Sequence, residues 1–385
     1  MTDLIYHSVK ASNDLSSGIG FTEFNTIDFN LVANGRKMMT NSIRICGQVE
    51  VQSQGAALTA AEDVKIDHKI GAHGFFESFQ TEISNGPKAQ VLENLASYPR
   101  FVSMADAVSR AEIDVCEASL LAELRGATDA NGFTNIQKIG TLSANATVVH
   151  DQNPSFAIKP MLCFNRMVSG SDNYSFNANG SIRISCNLAR AAHALFGQSC
   201  QDGTATYTLK NIRLTYVSIP DDGKQGKMMM DSYAFIKSNM ISTQANVQAR
   251  VPARAVSACS ITAVSQANEN SLTNNSYALE SLPQLDELNF SFQDTLTNYI
   301  TYTIDDLQDA LTRGVKSFPG GNAHNNSCNP NQQAAQRGYI LGTDFDGQVI
   351  DLSGQKFGVS IKSLFNNMNN DPRLLFLYFH NQMML

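Results

Sequence analysis

Tryptophan is absent from the 385 residues, and charged side chains are scarce at 16%, where about a quarter is usual. Lys and Arg number 28 against 35 Asp and Glu, a formal net charge of −7, and the basic residues nowhere form a run. A protein that coats nucleic acid needs a basic footprint, so direct, sequence-specific nucleic-acid binding is not expected. No CxxC pair occurs among the seven scattered cysteines, Cys46, Cys116, Cys163, Cys186, Cys200, Cys259 and Cys328. That argues against a zinc site or a disulfide framework, and reduced thiols fit folding in a cytosol. No stretch approaches the ~18 apolar residues of a membrane span. The start, MTDLIYHSVKASNDL, lacks the basic-then-apolar order of a secretory signal. Triplets such as Asn145-Ala-Thr and Asn179-Gly-Ser then reflect only an Asn-rich composition.

What fills the gap left by charge is Asn, Gln, Ser and Thr. Such a surface suits extensive protein–protein contact, because few ions must be desolvated on assembly. It suits sugar-binding and adhesive proteins equally well. The length corresponds to about two domains.

Alternation with a period of two dominates the chain. Ile27, Phe29, Leu31 and Ala33 predict a half-buried strand running into a turn at Asn34-Gly35. Ile43, Ile45, Val49 and Val51 continue it, and Ala72–Ile83, with Phe75, Phe76 and Phe79, reads as a further strand. Phe156–Phe164 reads as another. Ile182, Ile184, Cys186 and Leu188 point inward against Arg183, Ser185 and Asn187, and Tyr207–Ile219 closes the half. A helix capped by Ser103, with a stripe of Val108, Ile113, Cys116, Leu120 and Leu124 and an end at Gly126, interrupts the strands. The run Pro220–Lys227 is the linker candidate, followed by a packing cluster at Met228–Met230. Beyond it, Leu288–Phe292, Tyr299–Ile304, Tyr339–Leu341, Phe357–Ile361 and Leu374–Phe379 predict strands. A short helix is expected at about Asp305–Ser317, and a polar loop at Pro319–Gln336. The fold class is therefore all-β: two tandem eight-stranded antiparallel jelly-roll barrels with inserted helices and long loops. The domains are 1–222, an N-terminal arm and first barrel, and 223–385, the second barrel. Met1–Gly20 is either an arm or a frayed terminus.

The densest chemical cluster is Asp67, His68, His73 and Glu77. His68 and His73 have opposite parity on a strand, so a turn entering a strand explains them better than a metal. His193 reads as a half-exposed histidine beside a turn. Asp344-Phe-Asp346-Gly347 has only a fragment of a calcium loop's ligands. Asp305-Asp306 is explained by helix N-terminal electrostatics, and Tyr98-Pro99-Arg100 offers at most a surface aromatic. GxSxG, P-loop, GxGxxG, HExxH and HxH are all missing. No catalytic, cofactor-binding or metal-binding residue is assigned, no cofactor is expected, and the chain reads as not an enzyme.

Three segments carry a resemblance: Asn211–Pro220 (NIRLTYVSIP) ending one half, Gly338–Ser363 with the terminal Leu374–Gln382 ending the other, and Ile158–Met167 before Ser181–Gly197. Together they resemble the double jelly-roll major capsid proteins of tailless icosahedral DNA viruses. The resemblance implies a homotrimer of pseudo-hexagonal outline that tiles a shell in the virion. It further implies synthesis in the host cytoplasm and a place in the shell beside penton and minor capsid proteins, over a membrane or internal proteins. The alternative reading is a carbohydrate-binding or adhesive β-sandwich protein such as a viral spike. A single-barrel vertex protein and an enzyme on a β scaffold fit less well.

Overall fold

The computed structural model describes residues 3–108, 155–166, 170–250, 255–279, 285–293, 299–304, 313–318, 340–345, 349–351, 356–363 and 370–385, apart from 14, 16, 22–25, 33–34, 58–61, 68–69 and 315. The first half contains β1 (Ile5–Lys10), β2 (Ile19–Gly20), β3 (Thr26–Leu31), β4 (Arg36–Met38), β5 (Arg44–Ser53) and β6 (Ala56–Ala57). It continues with β7 (Phe76–Asn85), β8 (Lys88–Ala96), helix α1 (Tyr98–Val108), β9 (Ser155–Ile158), β10 (Tyr174–Ser175), β11 (Ser181–Leu188) and β12 (Thr206–Pro220). The second half contains β13 (Met229–Met240), β14 (Gln244–Ala249), β15 (Ala255–Ser265), β16 (Leu285–Gln293) and β17 (Tyr299–Ile304). It ends with β18 (Leu341–Thr343), β19 (Ile350–Asp351), β20 (Lys356–Ser363) and β21 (Arg373–Met384).

The ladders define two jelly rolls with the same winding. In barrel one, β3–β11–β7–β8 form one sheet, and β1 with β2, then β12, β4 with β5, and β9 form the other. In barrel two the corresponding sheets are β14–β20–β16–β17 and β13–β21–β15, with β18 and β19 on the far side of β15. Counting the eight strand positions along the chain, 2-7-4-5 share one sheet and 1-8-3-6 the other in both barrels. All pairings are antiparallel.

The alternation of the sequence is the alternation of burial. On β11, Ile182, Ile184, Cys186 and Leu188 are inside and Arg183 and Asn187 outside. Ten residues of β5 alternate without a break. On β12 the inward set changes parity from Tyr207 and Leu209 to Ile212, Leu214 and Tyr216. The cause is a bulge: the register against β5 shifts between Lys210 and Arg213, and Asn211 adopts a φ of 53°.

Several expected boundaries move. Gly71–Phe75 is a 3-10 turn, so the strand expected from Ala72 begins at Phe76. Phe156–Phe164 is strand only to Ile158, because Pro160 has no N–H for a ladder and Cys163–Asn165 turn. The strand expected at Tyr339–Leu341 is Leu341–Thr343, and Tyr339 lies outside the described residues. α1 starts at Tyr98, not after Ser103, whose hydroxyl donates to the Pro99 carbonyl at 3.0 Å from within the helix. The stripe from Ile113 to Gly126 lies outside the described residues, as do 305–312 and the loop 319–336. The N-terminal segment is neither arm nor frayed end over Ile5–Lys10 and Ile19–Gly20, which pair with β12 as the first strand position of barrel one.

Candidate functional site: the seam between the barrels

The apolar core of barrel one does not stop at barrel one. It runs on through Met228, Met230 and Tyr233 of the second half to Val264, Tyr277, Phe318, Leu374, Phe376 and Tyr378. Barrel two keeps a separate interior around Ile261, Phe290, Val359, Leu375, Leu377 and Phe379. β21 divides the two. Its residues Arg373–Asn381 are buried on both faces. Even-numbered Leu374, Phe376 and Tyr378 face barrel one, and odd-numbered Leu375, Leu377 and Phe379 face the interior of barrel two. Strand geometry places alternate side chains on opposite faces, so one strand serves two cores.

α1 supplies the other side of the seam. The Ser97 carbonyl accepts from Arg100 N at 3.1 Å and Phe101 N at 3.3 Å, which starts the helix. Pro99 sits in the first turn, where its missing N–H costs nothing. The helix then presents Phe101 edge-on to Tyr233, ring centres 4.4 Å apart, and against Phe318 and Tyr378 at 5.2 and 5.4 Å. The Tyr378 hydroxyl donates to the Ser97 carbonyl at 2.9 Å.

Two buried ion-pair groups flank these rings. Glu93 on β8 pairs with Arg166 and accepts from Cys163 N and Tyr233 N, each at 3.0 Å. Burial raises the Glu93 carboxyl above its ordinary value, and the guanidinium and the two N–H donors pull it back. Arg166 lies over Tyr233 at 4.5 Å and Phe101 at 5.2 Å. In the second group, Arg100 pairs with Glu269, donates to the Ser276 carbonyl, and lies 4.2 Å over Phe376. Lys237 joins Glu269 at 3.2 Å. Burial raises the nearby Glu77 carboxyl to about 7, against the pull of Arg100, Lys237 and Arg190.

Backbone and linker bonds complete the lock. The outward N–H groups of β13 at Met229, Asp231 and Tyr233 go to Ser171 Oγ, the Arg166 carbonyl and the Glu93 carboxylate. This edge strand is thus capped by barrel one. Tyr277 donates to the Gly74 carbonyl at 3.0 Å and Asn275 to Asp67 at 2.6 Å. The run between β12 and β13 is fastened too. Lys37 meets Asp172 at 3.2 Å and Asp222 at 2.8 Å, and Gln225 accepts from Ser175 N and Asn179 Nδ2.

The residues singled out from the sequence fall into this framework. Asp67 accepts from Ile70 N and Asn275, and His73 Nδ1 meets the Tyr98 hydroxyl at 2.6 Å, a hydroxyl that also accepts from Met161 N. Burial depresses the His73 pKa to about 3, so the ring stays neutral. His68 lies outside the described residues, as do Asp346 and Gly347. Tyr98 and Arg100, expected at most as a surface contact, are buried at the seam. His193 is half-exposed, as expected, and its carbonyl accepts from Ser276 Oγ at 3.0 Å. Among the described residues, no three His, Cys, Asp or Glu side chains gather to hold a metal. Burial pushes the Cys163, Cys186 and Cys259 thiols up, which makes them poor nucleophiles. The Glu93–Arg166–Tyr233 unit was invisible in the sequence, its members standing 73 and 140 positions from Glu93.

No family model matches the sequence, and no curated protein matches it. Solved structures do. The Faustovirus major capsid protein aligns over 100% of this chain and 90% of its own, with a TM-score of 0.54 and 10% identity. A chain of the Sputnik virophage aligns over 99% of this chain and 86% of its own, with a TM-score of 0.55 and 10% identity. At such identity the likeness is one of fold. This chain has the fold of double jelly-roll viral capsid proteins, both barrels included.

Proposed function

We propose that the chain is a structural major capsid protein of an icosahedral virus. It acts as a building block of the virion shell and not as an enzyme. Its domains are residues 1–222 and 223–385. Homotrimers of pseudo-hexagonal outline tile the shell, beside penton and minor capsid proteins and above a membrane or internal proteins. The protein is made in the host cytoplasm.

The observation that carries this reading is the two-faced burial of β21, with its apolar and ionic seam. A shell tile must keep its two barrels at one fixed angle, and a shared core does that where a flexible linker would not. The acidic balance, with a net charge of −7, also suits a wall that does not grip phosphate. The test is light scattering on purified protein, with negative-stain class averages of the same peak. A trimer with a hexagonal outline supports the proposal. A stable monomer that binds glycans would overturn it in favour of the adhesive reading.

A further inference from the structure

Four Asn-Gly pairs occur in the chain, at Asn34, Asn85, Asn131 and Asn179. Asn34 and Asn131 lie outside the described residues. The other two pairs are neighbours, because the tip of the β7–β8 hairpin meets the helical turn Phe176–Asn179. There Asn85 donates through Nδ2 to the Ala178 carbonyl at 3.3 Å. The same two residue types stand in opposite states on the two sides of this contact.

Asparagine followed by glycine is chemically unstable. The glycine N–H loses its proton, and the nitrogen attacks the asparagine Cγ. An N–Cγ bond forms, the Cγ–Nδ2 bond breaks and ammonia leaves, closing a five-membered imide. Water then opens that ring at either carbonyl, leaving aspartate or isoaspartate. Glycine favours the attack because no β-carbon crowds it and its backbone turns freely. A fold blocks the attack by holding the glycine nitrogen and the asparagine side chain.

At Asn179 both are held. Gly180 N donates to the Phe176 carbonyl at 2.9 Å, and Asn179 Nδ2 donates to Gln225 Oε1 at 2.7 Å. Gly180 packs so tightly on the hairpin that a β-carbon there would lie 2.0 Å from the Ser84 carbonyl oxygen. At Asn85 the attacking nitrogen is free to move. Asn85, Gly86 and Pro87 are exposed, and the space around Gly86 is open. Among the described residues, no backbone carbonyl accepts from Gly86 N. The bond from Asn85 Nδ2 engages only the leaving group.

We infer that Asn85 is a site of spontaneous deamidation, with water as the co-reactant, and that the fold protects its neighbour Asn179. The product changes the contact at the hairpin tip. An amide donates, whereas an ionised carboxylate only accepts. The Ala178 carbonyl therefore loses its donor and faces a negative charge, which frees the tip from the turn as the protein ages. The inference is independent of the capsid reading.

The test is peptide mapping by mass spectrometry on the folded full chain, aged in mildly alkaline buffer. Tryptic peptide 70–88 holds Asn85 as its sole asparagine, and peptide 167–183 holds Asn179. The expected result is amide-to-acid conversion that accumulates at position 85, with isoaspartate among the products, while position 179 keeps its amide. In urea-unfolded protein both positions convert at similar rates, which assigns the difference to the fold. Gly86→Ala slows conversion at position 85 several-fold in the folded chain. Equal rates at the two positions in the folded chain overturn the inference. So does an Asn85 that stays intact when folded but converts when unfolded.

Discussion

Arg166 lies over the ring of Tyr233 at 4.5 Å, and one carboxylate, that of Glu93, binds both the Arg166 guanidinium and the Tyr233 backbone N–H. A cation from barrel one, an aromatic from barrel two and a shared acid thus form one unit. Removing the cation strands the acid in a dry site. Arg166→Met should cost about 3–5 kcal/mol, read from the shift in the urea unfolding midpoint. Adding Glu93→Gln should restore part of that loss, since the stranded charge disappears with its partner.

Neighbouring aromatics on β21 should respond differently to the same substitution. Phe379 faces the interior of barrel two, edge-on to Phe357 at 4.7 Å. Phe379→Asp should give no folded protein, because nothing there receives a carboxylate. Phe376 lies under Arg100 at 4.2 Å and Lys237 at 5.1 Å. Phe376→Asp should be milder, with soluble but destabilised protein, because those cations can meet the new acid. Soluble yield and circular dichroism distinguish the two, and equal severity would contradict the assignment of faces.

Glu77 gives the seam a pH dependence. Its carboxyl titrates near about 7 in the fold, against an ordinary value of 4.5, because burial disfavours the charged form. A raised carboxyl pKa means that the neutral form stabilises the fold fully below 4.5 and that this contribution is lost as pH rises through about 7. Glu77→Gln should remove that slope. The unfolding temperature of the variant relative to wild type should increase between about pH 4.5 and about pH 8, and a constant difference would refute the expectation.

Gly197 takes a φ of 135°, and a β-carbon there would lie 2.1 Å from the Asp63 carbonyl oxygen. Gly86 has a φ of 62° but open space around it. Gly197→Ala should therefore lower the unfolding temperature clearly more than Gly86→Ala, whose cost is the conformational one of about 1 kcal/mol. Differential scanning fluorimetry of both variants is sufficient.

The sequence displayed the strands of barrel one well, because a sheet with one wet face writes its burial as alternation. β11 and β5 were legible for that reason. β21 was legible as a strand but not as a seam. A strand buried on both faces reads only as an apolar run, and nothing local says that the even side belongs to another barrel. Tyr98 and Arg100 were misread for a related cause. The burial of Arg100 depends on Glu269 and Ser276, far along the chain, which no local pattern announces. The sequence placed His73 at the entry to a strand, but its partner, the Tyr98 hydroxyl, carried no signal.

β21 also sets the order in which the molecule can mature. Within its sheet it lies between β13 and β15, so that ladder has a gap until β21 arrives. The flank of barrel one that holds Phe101 meets Tyr233 and Phe318 as well, but lacks Tyr378 until the same moment. Because β21 follows every other strand in the chain, barrel one must wait, with an apolar flank exposed, for a segment more than half the chain away. Slow delivery of these twelve residues would favour aggregation over assembly.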